Sequence, residues 1–252
     1  MKSTLPGVGT LINESVKLFQ TTWNQSTRAS MWFLYGALIQ FALAIIDKLW
    51  PSVGLILSPL ELVVAVIFIW TSVRLTQDML ILETGKSLDL SQEHIVARHA
   101  WNYVLPLIWL GILEGIIFIG GFLLLVIPFI FLAVDLAFAQ FFLVEENIHG
   151  FKALTASHAL VKGRWWPTCW RFLAGNIVFS FFIGFMTLGL MLLVSIVAGP
   201  EKFFAALGPT GQSADPLIQG VMSLVQGIMS AAFLPLTVAF HVKLYRALKA
   251  SR

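Results

Sequence analysis

Apolar residues in this chain gather into runs longer than the core of a soluble domain uses. Runs of about 20 residues, enough to cross bilayer hydrocarbon as a helix, lie near 30–47, 53–74, 102–120, 122–144, 170–198 and 217–242. From Tyr103 to Val144 only Glu114, Asp135 and Gln140 interrupt the apolar sequence. At about 1.5 Å per helical residue that stretch is twice the thickness of a bilayer core, so it predicts a hairpin. Gly120-Gly121 is the natural turn, and Pro128 falls in the first two turns of the returning helix. The period-2 alternation of a membrane barrel is absent. The pattern predicts an all-α, polytopic protein with six transmembrane helices in a single integral membrane domain, 1–252.

The connections carry a different period. Between Leu5 and Trp23, Val8, Leu11, Ile12, Val16 and Phe19 recur at spacings of three and four, with Asn13, Glu14, Lys17 and Gln20 on the other face. Between Ile148 and Trp165, Phe151, Leu154, His158, Val161 and Trp165 do the same, leaving Lys152, Ser157 and Lys162 elsewhere. Such stripes predict amphipathic helices lying in the headgroup region. Leu90 to Trp101 is a shorter third candidate. Trp23, Trp32, Trp101, Trp165, Trp166 and Trp170 fall where these helices meet the spans, the depth that tryptophan favours.

Charge adds an orientation. The chain has 16 Lys and Arg, and only Lys48 and Lys202 fall in the first, third and fifth loops. The rest lie in the N-terminal segment, the even-numbered connections and the C-terminal tail. Lys and Arg are retained on the cytoplasmic side, so both termini are expected there. The formal charge of +3 is then a topology signal, not a sign of nucleic acid. It would also attract anionic membrane lipids. Composition agrees: 58% of residues are apolar and 12% charged, against about a quarter charged in a soluble domain. The single cysteine, Cys169, excludes an intramolecular disulfide and any site built on several thiols.

Some of the elements look repeated. Ser15, Leu18 and Trp23 recur as Ser157, Leu160 and Trp165 at the same spacing, and Phe33-Leu34-Tyr35-Gly36 matches Phe172-Leu173-Ala174-Gly175. Val73-Arg74-Leu75 pairs with Val242-Lys243-Leu244. Three parallel units, 5–75, 88–144 and 148–247, would each hold an interfacial helix and a two-span hairpin; chance similarity between apolar segments is the other reading.

The run Leu132 to Phe172 contains Asp135-Leu136-Ala137-Phe138-Ala139, Leu143-Val144-Glu145-Glu146, Gly150-Phe151-Lys152-Ala153-Leu154 and Lys162-Gly163-Arg164-Trp165-Trp166. With Tyr245-Arg246-Ala247-Leu248 after the last span, this resembles the YciC-like six-span membrane proteins of bacteria. Those are akin to the membrane domain attached to some glycerophosphoryl diester phosphodiesterases. The resemblance covers about 100–252 and is loose before it, and the soluble phosphodiesterase domain has no counterpart here. It implies a six-helix fold in the bacterial cytoplasmic (inner) membrane and lipid-related biology, and it carries over no catalytic residue.

Chemistry rests on few residues. Glu61, Glu114 and Asp135 are carboxyls at membrane depth, where a charge costs at least about 2.5 kcal/mol and so faces a bundle interior or a wet cavity. They relay protons or hold a cation, or else they are helix glue bonded to Gln140, Asn176, Gln219 or Gln226. Lys152, Lys162, Arg164, Trp165, Trp166 and Arg171 could hold an anionic headgroup; plain interfacial anchoring competes with that role. No metal-ligand spacing, cofactor motif or nucleophile–base pair is visible. Three readings compete: a non-enzymatic protein that interacts with lipid or assists other membrane proteins, a small-solute transporter or channel, and an intramembrane enzyme. The second needs a polar path, and the spans suggest few polar residues and no broken helix.

Overall fold

The computed structural model describes residues 5–86, 90–124, 126–199, 201 and 216–251; Lys2, Lys202 and Arg252 lie outside them. All the elements described are α-helices: α1 (Val8–Thr21), α2 (Trp23–Leu49), α3 (Pro51–Glu83), α4 (Leu90–Leu124), α5 (Val126–Leu136), α6 (Ala139–Glu146), α7 (Phe151–Val161), α8 (Trp165–Ala198) and α9 (Pro216–Ala250). Among the described residues five helices are long and apolar enough to cross a membrane, over Trp23–Leu49, Pro59–Glu83, Gln92–Gly121, Trp165–Ile196 and Leu217–Ala250. This is the composition of a multi-pass membrane protein. The outward side of α8 agrees, with Phe181 and Ile196 each 77% exposed, a surface suited to lipid rather than water.

The stretch 122–144 differs from expectation. It holds α5 and α6, of 11 and 8 residues, separated at Ala137-Phe138. Neither is long enough to span alone. Gly120 and Gly121 do not turn; α4 continues through both to Leu124. Gly121 instead opens space for α5, since a Cβ there would stand 2.7 Å from Leu132 Cδ1. Leu90 to Trp101 is no separate interfacial helix either, being the start of α4.

Two compact units divide the chain: residues 1–26, 72–178 and 235–252 form the first, and 27–71 and 179–234 the second. In unit 1, Tyr245 is fully buried and its ring stacks on Phe141 at 5.2 Å and meets Phe142 edge-on at 5.5 Å. Helix α8 reaches this core at Gly175, where any Cβ would strike the Phe240 ring. Unit 2 is built similarly around Gly36, which the Phe68 ring approaches as closely. Phe68 stacks on Phe33 at 5.1 Å, and Ser30 Oγ donates to Ala231 O at 2.7 Å.

The two expected amphipathic helices form, with rotated faces. On α1 the buried stripe is Leu11, Ser15 and Leu18. On α7 it is Ala153, Leu154, Ser157, Leu160 and Val161, while Phe151 and His158 are exposed. Ser157, expected on the polar face, is therefore an inward residue.

Candidate functional site

Ser157 explains the break between α5 and α6. In a continuous helix Phe138 N–H would donate to Val134 O four residues back. Here it donates to Ser157 Oγ at 3.2 Å, while that hydroxyl donates to Asp135 O at 2.5 Å. One side chain on α7 thus satisfies two backbone groups at the break, and a buried unpaired group would cost about 1–3 kcal/mol. The Asp135 carboxylate turns the same way, with Oδ2 2.8 Å from His158 Nδ1. Asp135 and His158 resemble the acid and base of a triad. The adjacent hydroxyl, however, is fully buried and committed to backbone, so no nucleophile is presented.

The break also shapes a cavity of about 400 Å³, lined by Leu110, Glu114, Ala137, Gln140, Phe172 and His241 among others. Glu114 stands ten residues before the end of α4 and projects into this space. Among the described residues neither Glu114 nor Gln140 has a hydrogen bond or ion pair. His241 is held separately: its Nε2 lies 3.3 Å from Asn176 Nδ2, and its ring also bonds the Thr237 backbone. Asn176 Nδ2 is a donor, so Nε2 is the accepting nitrogen of a neutral ring. Asp135 is not part of this cavity; it is engaged on α7.

The expected headgroup residues separate into two kinds. Arg171 donates to Pro6 O at 2.7 Å, Leu5 O at 2.9 Å and Pro167 O at 2.8 Å. Arg164 donates to Ser251 Oγ and, at 3.3 Å, to Leu248 O. Both guanidiniums pin chain ends to the start of α8. Trp165 stacks on Phe131 at 4.0 Å. Lys152, Lys162 and Trp166 are exposed and keep the geometry of interfacial anchors.

No family model, curated protein or solved structure matches this chain.

Unit 1 further holds an ionic layer that the sequence reading missed. Arg74 is over nine-tenths buried between Asp78 (3.7 Å) and Glu93 (3.8 Å). Nearby in sequence, Glu83 meets Lys243 at 3.2 Å and Arg246 at 3.3 Å. Glu145 accepts from Tyr245 OH at 2.7 Å and Lys249 Nζ at 2.9 Å and pairs with Arg246, while Lys249 also reaches Glu146 at 2.7 Å. Burial alone would raise Glu145; the bonds from Tyr245 and Lys249 and the charges of Arg246 and Lys249 outweigh it and hold its carboxyl below the ordinary value of 4.5. A cavity of about 490 Å³ opens beside this layer, with Gln77, His99, Tyr103, Lys86, Glu145 and Arg246 on its wall. The ends of α3, α6 and α9 thus converge in one layer.

Glu61 belongs to unit 2 and lies exposed on α3. It lines a cavity with Asp47, a carboxylate the sequence reading passed over. Asp47 ends an apolar run beside Lys48, where a charge signals nothing more than a span boundary.

Proposed function

We propose that this chain is a non-enzymatic membrane protein that binds a small cationic solute at Glu114 and passes it across the bilayer. The observation that carries the reading is the unpartnered pair Glu114 and Gln140 in a cavity bordered by interrupted helix. Irregular backbone at membrane depth is tolerated where it lines a cavity or is buried in protein, and broken helices mark substrate sites in many carriers. A carboxyl used as helix glue would be bonded, and Glu114 is not.

The same reading takes α5 and α6 together as an interrupted sixth crossing, with both termini cytoplasmic in the bacterial inner membrane. Support comes from the convergence of Glu83, Glu145 and Lys243–Lys249, because each follows an even-numbered crossing. Arg171 and Arg164 add residues 5–6 and 248–251 to the same unit. Lys152, Lys162, Trp166 and Trp170 anchor that side against lipid headgroups. A lipid-handling role has less support, since Arg164 and Arg171 spend their donors on the chain itself. Parallel repeats draw support from Gly36 and Gly175, each of which receives a phenylalanine ring.

The test is uptake of radiolabelled methylammonium, sodium and potassium, and of protons by a trapped pH dye, into proteoliposomes. Wild type is expected to move one of these cations, and Glu114→Gln to lose that flux at unchanged abundance and unfolding temperature. Equal flux in both proteins, or no flux above empty vesicles, would sink the reading.

A further inference from the structure

Unit 2 contains two neighbouring cavities, of about 370 and 310 Å³, that share Gln40 and Ser223 and so form one groove in two chambers. The first chamber adds Asp47, Glu61 and Gln219; the second adds Gln226, Ser230 and the stacked rings of Phe33 and Phe68. On α9 the polar residues fall at Gln219, Ser223, Gln226 and Ser230, spacings of four, three and four, which is one face of a helix. Gly227 presses on Ala37 of α2, where a Cβ would come within 2.2 Å of the alanine Cβ. Helices α2 and α9 are therefore in close contact beside the polar face.

Three observations point to a ligand. Among the described residues Gln40, Asp47, Glu61, Ser223, Gln226 and Ser230 have no hydrogen bond or ion pair. By contrast, Ser15, Thr22, Ser26 and Thr71 each donate to a carbonyl of the preceding helical turn, whereas Ser223 and Ser230 make no such bond and line the chambers. Second, no Lys, Arg or His is among the residues lining either chamber, while Asp47 and Glu61 both line the first. Third, chambers of about 370 and 310 Å³ are of a size that takes small molecules.

We propose that this groove binds a linear aliphatic amine, its ammonium between Asp47 and Glu61 and its chain running along α9 past Gln40 and Ser223. Carboxylate, carboxamide and hydroxyl oxygens accept all the N–H donors of an ammonium. The Phe33–Phe68 wall takes the methylene chain, and Gln226 and Ser230 receive a second amine. From Gln219 to Gln226 is seven residues, about 10 Å of helix, so a ligand with two well-separated amines fits better than a short one. The site is independent of Glu114.

The experiment is equilibrium binding of radiolabelled spermidine to the full-length protein in mild detergent, with ethylamine and magnesium as competitors. Saturable binding is expected, displaced weakly by ethylamine and magnesium. Asp47→Asn and Glu61→Gln should each weaken it about tenfold, the loss of one charge-assisted contact. Gln226→Glu, which adds a carboxylate in the second chamber, should tighten it. This gain cannot come from misfolding. Absence of saturable binding, or binding indifferent to all three substitutions, overturns the proposal. Binding lost in Glu114→Gln but kept in Asp47→Asn and Glu61→Gln overturns it too, while leaving the Glu114 reading intact.

Discussion

The ionic layer of unit 1 and the groove of unit 2 use the same side-chain chemistry to opposite ends. In unit 1 Glu83, Glu145 and Glu146 each meet a cation of α9, and Tyr245 donates between two of them. In unit 2 Asp47 and Glu61 share a cavity with Gln40 and Ser223, and among the described residues none of these four side chains has a hydrogen bond or ion pair. Where polar groups are matched to one another they hold segments together. Where they line a cavity they hold no segments together. The Glu114 cavity sits inside unit 1 yet follows the second rule, so the distinction belongs to sites and not to units.

The largest expected effect breaks a matched group. Ser157→Val leaves Asp135 O and Phe138 N–H without their shared partner and should cost about 2–6 kcal/mol, from roughly 1–3 for each buried group. Thermal unfolding in detergent measures it; the mirror substitution Ser223→Ala, in the groove, should stay within about 0.5 kcal/mol. Equal losses would erase the contrast. Arg246→Met comes next, at about 2 kcal/mol, because it strips a charged partner from Glu83 and Glu145 together. A smaller effect is set by acidity. The folded value of Glu145 lies below 4.5, so its stabilisation is fully present above that pH and is lost as pH falls through the lowered value. Glu145→Gln should flatten this part of the stability–pH curve, and an unchanged slope would show that the layer does not depend on this carboxylate. Smallest is Gln226→Leu, expected to leave the unfolding temperature unchanged or slightly raised while weakening spermidine binding.

Five of the helices were legible because a span is a matter of length and apolar content, which local sequence reports directly. The break at Ala137-Phe138 was not, since neither residue is a helix breaker and the cause lies on α7. Ser157 was assigned to the wrong face by the same logic that usually succeeds: a hydroxyl on an amphipathic helix points to water unless a backbone group elsewhere needs it. Glu114 stood out as a charge amid apolar neighbours. Asp47 did not, and the stripe from Gln219 to Ser230, though regular, is diluted by the apolar residues between its members. Neither cavity is visible when each helix is read alone, because each is lined by residues of several helices. Arg164 and Arg171 show the converse, since their bonds to Leu248 O and to Leu5 O and Pro6 O join residues far apart in sequence.

Chain order gives the Ser157 bridge a further consequence. Phe138 leaves the ribosome 19 residues ahead of the side chain that stabilises its irregular backbone. Until α7 emerges, neither Phe138 N–H nor Asp135 O has the hydroxyl that satisfies it at the break. The interruption, and with it the cavity beside Glu114, therefore depends on a side chain that is made later in synthesis than the segment it interrupts.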